Sequence, residues 1–193
     1  MKIFLTNQNK LFPAHLKELS TYKVIPYNKE TLKYKTNSKR IESVLSINTI
    51  NLKDFFNYKI FPINILQAYT QWEHEGRDMQ INDTIVQQIQ IPPIMGFSLK
   101  IITGVRIKEV INIKNQKGFS YETLQGHVEK GVSTFIIEQH NNSLTFTIET
   151  YSSSNGVILS IFQPFLSLYQ DYCTQQALNF LESQLSSSPK PII

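Results

Sequence analysis

Between Asp83 and Ser152, hydrophobic and polar residues take turns with a period of two, the spacing of strands that bury one face. Ile85, Gln87, Ile89 and Ile91 share one register against Val86, Gln88 and Gln90. Pro92-Pro93 ends that run, because proline has no N–H for a sheet ladder. Leu99, Ile101, Thr103, Val105 and Ile107 form a second set that runs on toward Ile113, and Phe119, Tyr121 and Thr123 a third. A fourth spans Thr134 to Gln139 around Phe135, Ile136 and Ile137. In the fifth, Leu144, Phe146 and Ile148 oppose Thr145, Thr147 and Glu149. His140-Asn141-Asn142-Ser143 between the last two predicts a hairpin loop.

The flanks read differently. Ser43 to Ile50 alternates and predicts a first strand. From Leu52 to Glu75, apolar residues recur at steps of three and four, a helical spacing. Pro62 lacks the N–H a helix interior needs, so two short helices meeting near it are expected. Ile158, Ile161, Phe162, Phe165, Leu168, Tyr169 and Tyr172, then Leu178, Leu181 and Leu185, predict a long amphipathic C-terminal helix. Ser152 to Asn155 are its N-cap candidates, and Pro164 marks a kink or restart. Residues 1–42 are polar and read as an irregular N-terminal arm, with one short helix around Leu11, Leu16 and Leu19. Residues 43–186 form the domain, and 187–193, with Pro189 and Pro191, a frayed tail. An antiparallel sheet with one apolar face must be covered, and the C-terminal helix is the cover. The expected class is α+β: a curved antiparallel sheet around a long C-terminal helix, with a short helix pair after the first strand.

Composition narrows the setting. At 193 residues, 41% hydrophobic and 18% charged, the chain can bury a core without a disulfide or metal. The lone Cys173 excludes an intramolecular disulfide and leaves a thiolate metal cluster without ligands, which fits a reducing cytoplasm. The apolar patch of Met1 to Thr6 stops at Asn7, too early for a signal peptide, and no apolar run reaches the ~18 residues of a membrane span. The net charge of +4 draws on Lys29, Lys33, Lys35, Lys39 and Arg40, but no nucleic-acid-binding motif accompanies them, so no nucleic acid partner is expected. His74 and Asp78 lie four apart with His15 and His140 remote, a spacing that predicts no metal. No phosphate-loop or dinucleotide signature is present, and no cofactor is expected.

The segment GFSYETLQGHVEKG, residues 118 to 131, carries three glycines, a histidine and two glutamates between strand-like runs. With FIIEQ, LTFTIETYSSS and QPFLSLYQ after it, it resembles an uncharacterised bacterial and plant domain-of-unknown-function family. That family belongs to the helix-grip superfamily of START domains, polyketide cyclases and birch pollen allergen-like proteins. Gly118, Phe119, Tyr121, Thr123, Leu124, Gly126, His127, Glu129 and Gly131 match its GT-LPGHPE-type motif, whereas Glu122, Gln125 and Val128 depart from it. The resemblance covers Ser43 to Leu185 and implies a START-like fold with an apolar pocket between sheet and helix.

Within that fold, Trp72, Tyr121, Phe135, Phe146, Phe162, Phe165 and Tyr169 face the space between sheet and helix, as core or as lining for a small ligand. The Tyr121 hydroxyl is placed to orient a polar head group. His127 with Glu129 is the candidate acid–base pair, and a turn histidine bonded to backbone is the alternative. Glu122 and Glu149 alternate opposite to the apolar sets and belong on the outer face. Ser152 to Ser154 lack the nucleophile elbow. Three readings stand: non-enzymatic binding of a small hydrophobic or amphipathic ligand, a cyclase- or hydrolase-type enzyme using His127 with Glu129 or Tyr121, and a protein-interaction module using the lysine-rich arm and proline-containing tail.

Overall fold

The computed structural model describes residues 2–42, 46–93, 98–154 and 163–186, with backbone alone for 154, 163–167 and 186. The strands are β1 (Lys2–Phe4), β2 (Lys33–Glu42), β3 (Leu66–Thr70), β4 (Thr84–Ile91), β5 (Leu99–Ile113), β6 (Gln116–Thr123), β7 (Glu129–His140) and β8 (Ser143–Ser154). The helices are α1 (Phe12–Leu19), α2 (Lys53–Phe56), α3 (Gln71–Glu75) and α4 (Gln163–Ser186). The sheet runs β2-β8-β7-β6-β5-β4-β3, with β1 added to β5, and each of these pairs is antiparallel.

All five strands expected from the alternation are present. Ile85, Val105, Ile107, Phe119, Phe135, Ile137, Leu144, Phe146 and Ile148 point to one face and form the main core. Ala177, Leu178, Leu181 and Leu185 of α4 close that core from above. A smaller cluster lies on the opposite face, where Phe12, Leu16 and Leu19 of α1 pack on Val86, Ile102 and Leu124. The sheet is therefore covered on both sides at β4 and β5. That double cover explains why Val86 and Ile102, in the register read as outward, are also buried.

Four expectations are corrected. First, residues 1–42 are not an irregular arm, since they supply β1, α1 and the edge strand β2. The inward positions of β2 are polar because they meet the flank of α4 rather than its apolar stripe. Lys35 pairs with Asp171 at 2.6 Å, Gln175 bonds Asn37 at 3.3 Å, and Lys39 reaches Asn179 at 2.7 Å and Glu182 at 2.6 Å. Only Ile41 enters the core from this strand. Second, of the strand expected at Ser43 to Ile50, residues 43–45 lie outside the described residues and 46–50 form a turn that drops Ile47 and Ile50 into the core.

Third, the two short helices do not meet at Pro62. The strand β3 separates them, with Leu66 opposite Ile89 and Thr70 opposite Ile85. Leu66, Tyr69 and Trp72 mimic a helical stripe, yet Leu66 and Ala68 face the main core while Tyr69 faces outward, 5.8 Å from Phe12. Thr70 then caps α3 by accepting from the Glu73 N–H, and Gly76 at φ 68° ends it. Fourth, Ser152 to Ser154 do not cap a helix. They extend β8, opposite Gly131, Lys130 and Glu129, where the sheet ladder satisfies their backbone. Ile158, Ile161, Phe162 and the tail 187–193 lie outside the described residues.

Candidate functional site

Antiparallel register places side chains in rows across the concave face, and two adjacent rows differ sharply. Phe119, Phe135 and Ile148 are successive partners on β6, β7 and β8. Two residues along the same strands, the row reads Tyr121, Ser133, Thr150 and, on β2, Lys35. The face thus changes from aromatic and aliphatic to hydroxyl-bearing within one pleat. The apolar end lies under Ala177 to Leu185 of α4 and the polar end under Tyr169 to Cys173.

The polar end is a connected network. Gln87, opposite Thr103 on the next strand, donates to the Tyr58 hydroxyl at 2.8 Å, which donates to the Tyr121 hydroxyl at 3.3 Å. Tyr121 also engages Ser133, whose hydroxyl lies 3.3 Å from that of Thr150. Burial lifts both phenols above their usual range, so they remain protonated donors. On the other side of Gln87, its Oε1 lies 3.4 Å from His127 Nε2. His127 Nδ1 lies 3.0 Å from both the Glu129 N–H and the Glu129 carbonyl oxygen, so the backbone of Glu129 meets the ring as donor and as acceptor. The Glu129 carboxylate accepts from Gln170 of α4. The Thr103 hydroxyl, on the same face as Gln87, is buried without a hydrogen-bond partner among the described residues.

Local chain geometry holds these groups. Tyr58 follows the single turn of α2 with φ 58°, a left-handed conformation that a bulky residue adopts only under strain. The turn before His127 is closed by its N–H bonding Leu124 O at 2.9 Å, and Gly126 takes φ 80°. Burial pushes His127 down to about 4 and Glu129 up to about 7, so both are driven toward their neutral forms. Lys35 opposes the shift of Glu129.

The sequence candidates are thus distributed between the two ends. Tyr121 and His127 join one network through Gln87 and Tyr58. His127 meets Glu129 through its backbone, while the Glu129 carboxylate turns to Gln170. Tyr169 bonds Gln90 O from α4. Trp72, Phe135 and Phe146 lie among core neighbours: Trp72 Nε1 donates to Asn57 at 3.1 Å, Phe135 stacks on Phe119 at 5.1 Å, and Phe146 meets Phe55 edge-on at 5.9 Å. Phe162 lies outside the described residues, and Phe165 is described by its backbone alone. Glu122 is on the outer face as expected, bonded to Tyr27 at 2.6 Å and Lys108 at 2.7 Å, beside a surface cleft of about 470 Å³. Glu149 lies opposite Thr134 and Thr36 and does not pair with it.

Tyr58, Gln87, Thr103, Ser133 and Gln170 were not singled out by sequence reasoning. Gln87 carried a readable signal: it is an amide in the register of Ile85, Ile89 and Ile91. Tyr58 carried none, because the helical spacing around it concealed the turn it occupies.

Comparison with known proteins agrees with this architecture. No curated protein matches the sequence. A hypothetical protein of Helicobacter pylori superposes with a TM-score of 0.58 at 11% identity, over 86% of this chain and 98% of that one. A protein of Mycobacterium smegmatis does so at 0.52 and 11%, over 88% and 99%. A protein of Arthrobacter aurescens does so at 0.50 and 11%, over 88% and 95%. At this identity the likeness is one of fold, and the fold is helix-grip. No helix among the described residues is long and apolar enough to cross a membrane. The model of the domain of unknown function DUF1990 matches residues 58–180, which begin at Tyr58 and take in His127, Glu129 and most of α4, and the chain belongs to that family.

Proposed function

We propose that this protein binds a small amphipathic ligand between the concave sheet face and α4, without transforming it. The observation that carries this reading is the Tyr58–Gln87–Tyr121–His127 network on a face that is otherwise a packed core. Apolar groups of the same volume would hold sheet and helix together without burying amides and phenols. The left-handed Tyr58 adds a strain of roughly 1–3 kcal/mol, a cost typical of sites shaped for recognition. Tyr121 and Tyr169 line the polar end of this site, and Trp72, Phe135 and Phe146 pack in the core that adjoins it. Native mass spectrometry of the full chain purified from its host tests the reading. A bound small molecule released on denaturation is expected; a protein that carries none, with no thermal shift on adding amphiphiles, overturns it.

One observation favours a second reading as an enzyme. Glu129, with its carboxyl at about 7, sits near phenol hydroxyls and a neutral imidazole, an acid–base set suited to neutral pH. Chemical change of the co-purifying ligand on incubation, lost in Glu129→Gln, distinguishes it from simple binding.

A further inference from the structure

Resting on that binding reading, we infer that the polar end of the site accepts an uncharged or cationic head group, one that donates hydrogen bonds, and rejects carboxylates and phosphates. The side chains that converge there are hydroxyls of Tyr58, Tyr121, Ser133 and Thr103, the amides of Gln87 and Gln170, a neutral imidazole and one carboxyl. An anion needs cationic or clustered N–H donors. Among the described residues the cation in this row is Lys35, which is ion-paired with Asp171 at 2.6 Å. The guanidinium of Arg106 lies on the opposite face, bonded to Ser20 O and Thr84. Above pH 7, where Glu129 is ionised, a carboxylate or phosphate brought beside it would meet a like charge in a weakly screened setting. A hydroxyl or ammonium would instead find acceptors in Glu129, Tyr121 and the unpartnered, 1%-exposed Thr103 hydroxyl.

The same face also shows where a hydrocarbon part would lie. Two residues beyond Gln87 and Thr103, Ile89 and Ile101 stand opposite each other, flanked by Leu66 on β3 and Ile3 on β1. Leu99, opposite Ile91, comes next. Unlike the apolar end under α4, this row reaches solvent, with Ile3 54% and Leu99 42% exposed. A head group at Gln87 and Thr103 therefore places its tail along an apolar row that is buried at Ile101 and opens to solvent at its Ile3 and Leu99 rim.

Three ligands with one tail test the inference by calorimetry on the full chain at pH above 7: 1-decanol, decylamine and decanoate. Decanol and decylamine are expected to bind about tenfold or more tightly than decanoate. Glu129→Gln is expected to weaken decylamine selectively. Thr103→Val, which keeps the side-chain shape and removes a hydroxyl with no hydrogen-bond partner among the described residues, is expected to fold normally and weaken decanol. Decanoate binding as tightly as the other two overturns the head-group inference while leaving the binding reading intact. So does binding that neither substitution alters. If none of the three binds and no ligand co-purifies, the binding reading fails, and this inference with it.

Discussion

The Tyr58 hydroxyl donates to the Tyr121 hydroxyl at 3.3 Å while accepting from Gln87 at 2.8 Å, and so joins a loop residue to two strands. Tyr58→Phe leaves the buried Gln87 amide without that acceptor. Tyr121→Phe leaves Tyr58 still bonded to Gln87. Each variant leaves one buried donor unsatisfied, Gln87 in the first and the Tyr58 O–H in the second, at about 1–3 kcal/mol. Tyr58→Phe is the more destabilising because it breaks both the 2.8 Å and the 3.3 Å bond. Urea titration of both variants measures the order, and a larger loss in Tyr121→Phe would show that the hydroxyl is held chiefly from the sheet.

Gly118 and Gly131 are required by backbone contact. A Cβ on Gly131, at φ 147°, would lie 1.9 Å from Tyr151 O, and one on Gly118 would lie 2.3 Å from Phe135 O. Backbone in a paired strand cannot step aside. At Gly104, by contrast, the nearest atoms are the ends of Leu124 and Leu19 side chains at 3.1 Å. Gly131→Ala and Gly118→Ala should each cost about 3 kcal/mol and Gly104→Ala about 1 kcal/mol. Thermal melts of the three variants give the ranking.

Stability is predicted to depend on pH through two buried groups of opposite sense. Glu129 moves from the ordinary 4.5 up to about 7 on folding, so the folded chain holds a proton that the unfolded chain releases. Its contribution is complete below 4.5 and is lost as pH rises to about 7. His127 moves from 6.5 down to about 4, so its contribution is present above 6.5 and is lost as pH falls. Each slope approaches 1.4 kcal/mol per pH unit, and the two offset each other between 4.5 and 6.5. Glu129→Gln should remove the loss near pH 7 and expose a rise in stability from pH 4.5 to 6.5. Denaturant midpoints across that range check the sign; a variant that tracks the wild type at every pH would show that Glu129 does not titrate there.

The ion pairs between β2 and α4 should matter little by comparison. Lys35 and Asp171 leave 23% and 54% of their side chains exposed, and Lys39 and Glu182 leave 31% and 38%. Exposed pairs contribute about 0–1 kcal/mol and weaken with salt. Leu181, 1% exposed where α4 meets the core, should cost about 2–5 kcal/mol on change to Ala. Comparing Lys39→Ala with Leu181→Ala at low and high salt separates the two kinds of contact: only the first should vary with salt.

The sequence by itself determined the meander and its cover. Strands β6 to β8 carry their own period because each buries one face against a single layer of core, and β4 and β5 keep theirs although α1 covers their second face. The resemblance of Gly118 to Gly131 to a family was also visible in one dimension, since it rests on spacing along the chain. Tertiary structure alone decided the rest. Lys33 to Glu42 became an edge strand with one core residue, Ile41, because polar side chains suit the flank of a helix as well as they suit water. Leu66 to Thr70 became a strand because β4 had an open edge, which outweighed a helical spacing. The candidate site depends most on the fold. Positions 58, 87, 121, 127 and 170 belong to a loop, two strands, a turn and a helix, and cross-strand register together with the docking of α4 brings them together. No local period encodes that register, because it follows from which strands pair and how the helix settles on them.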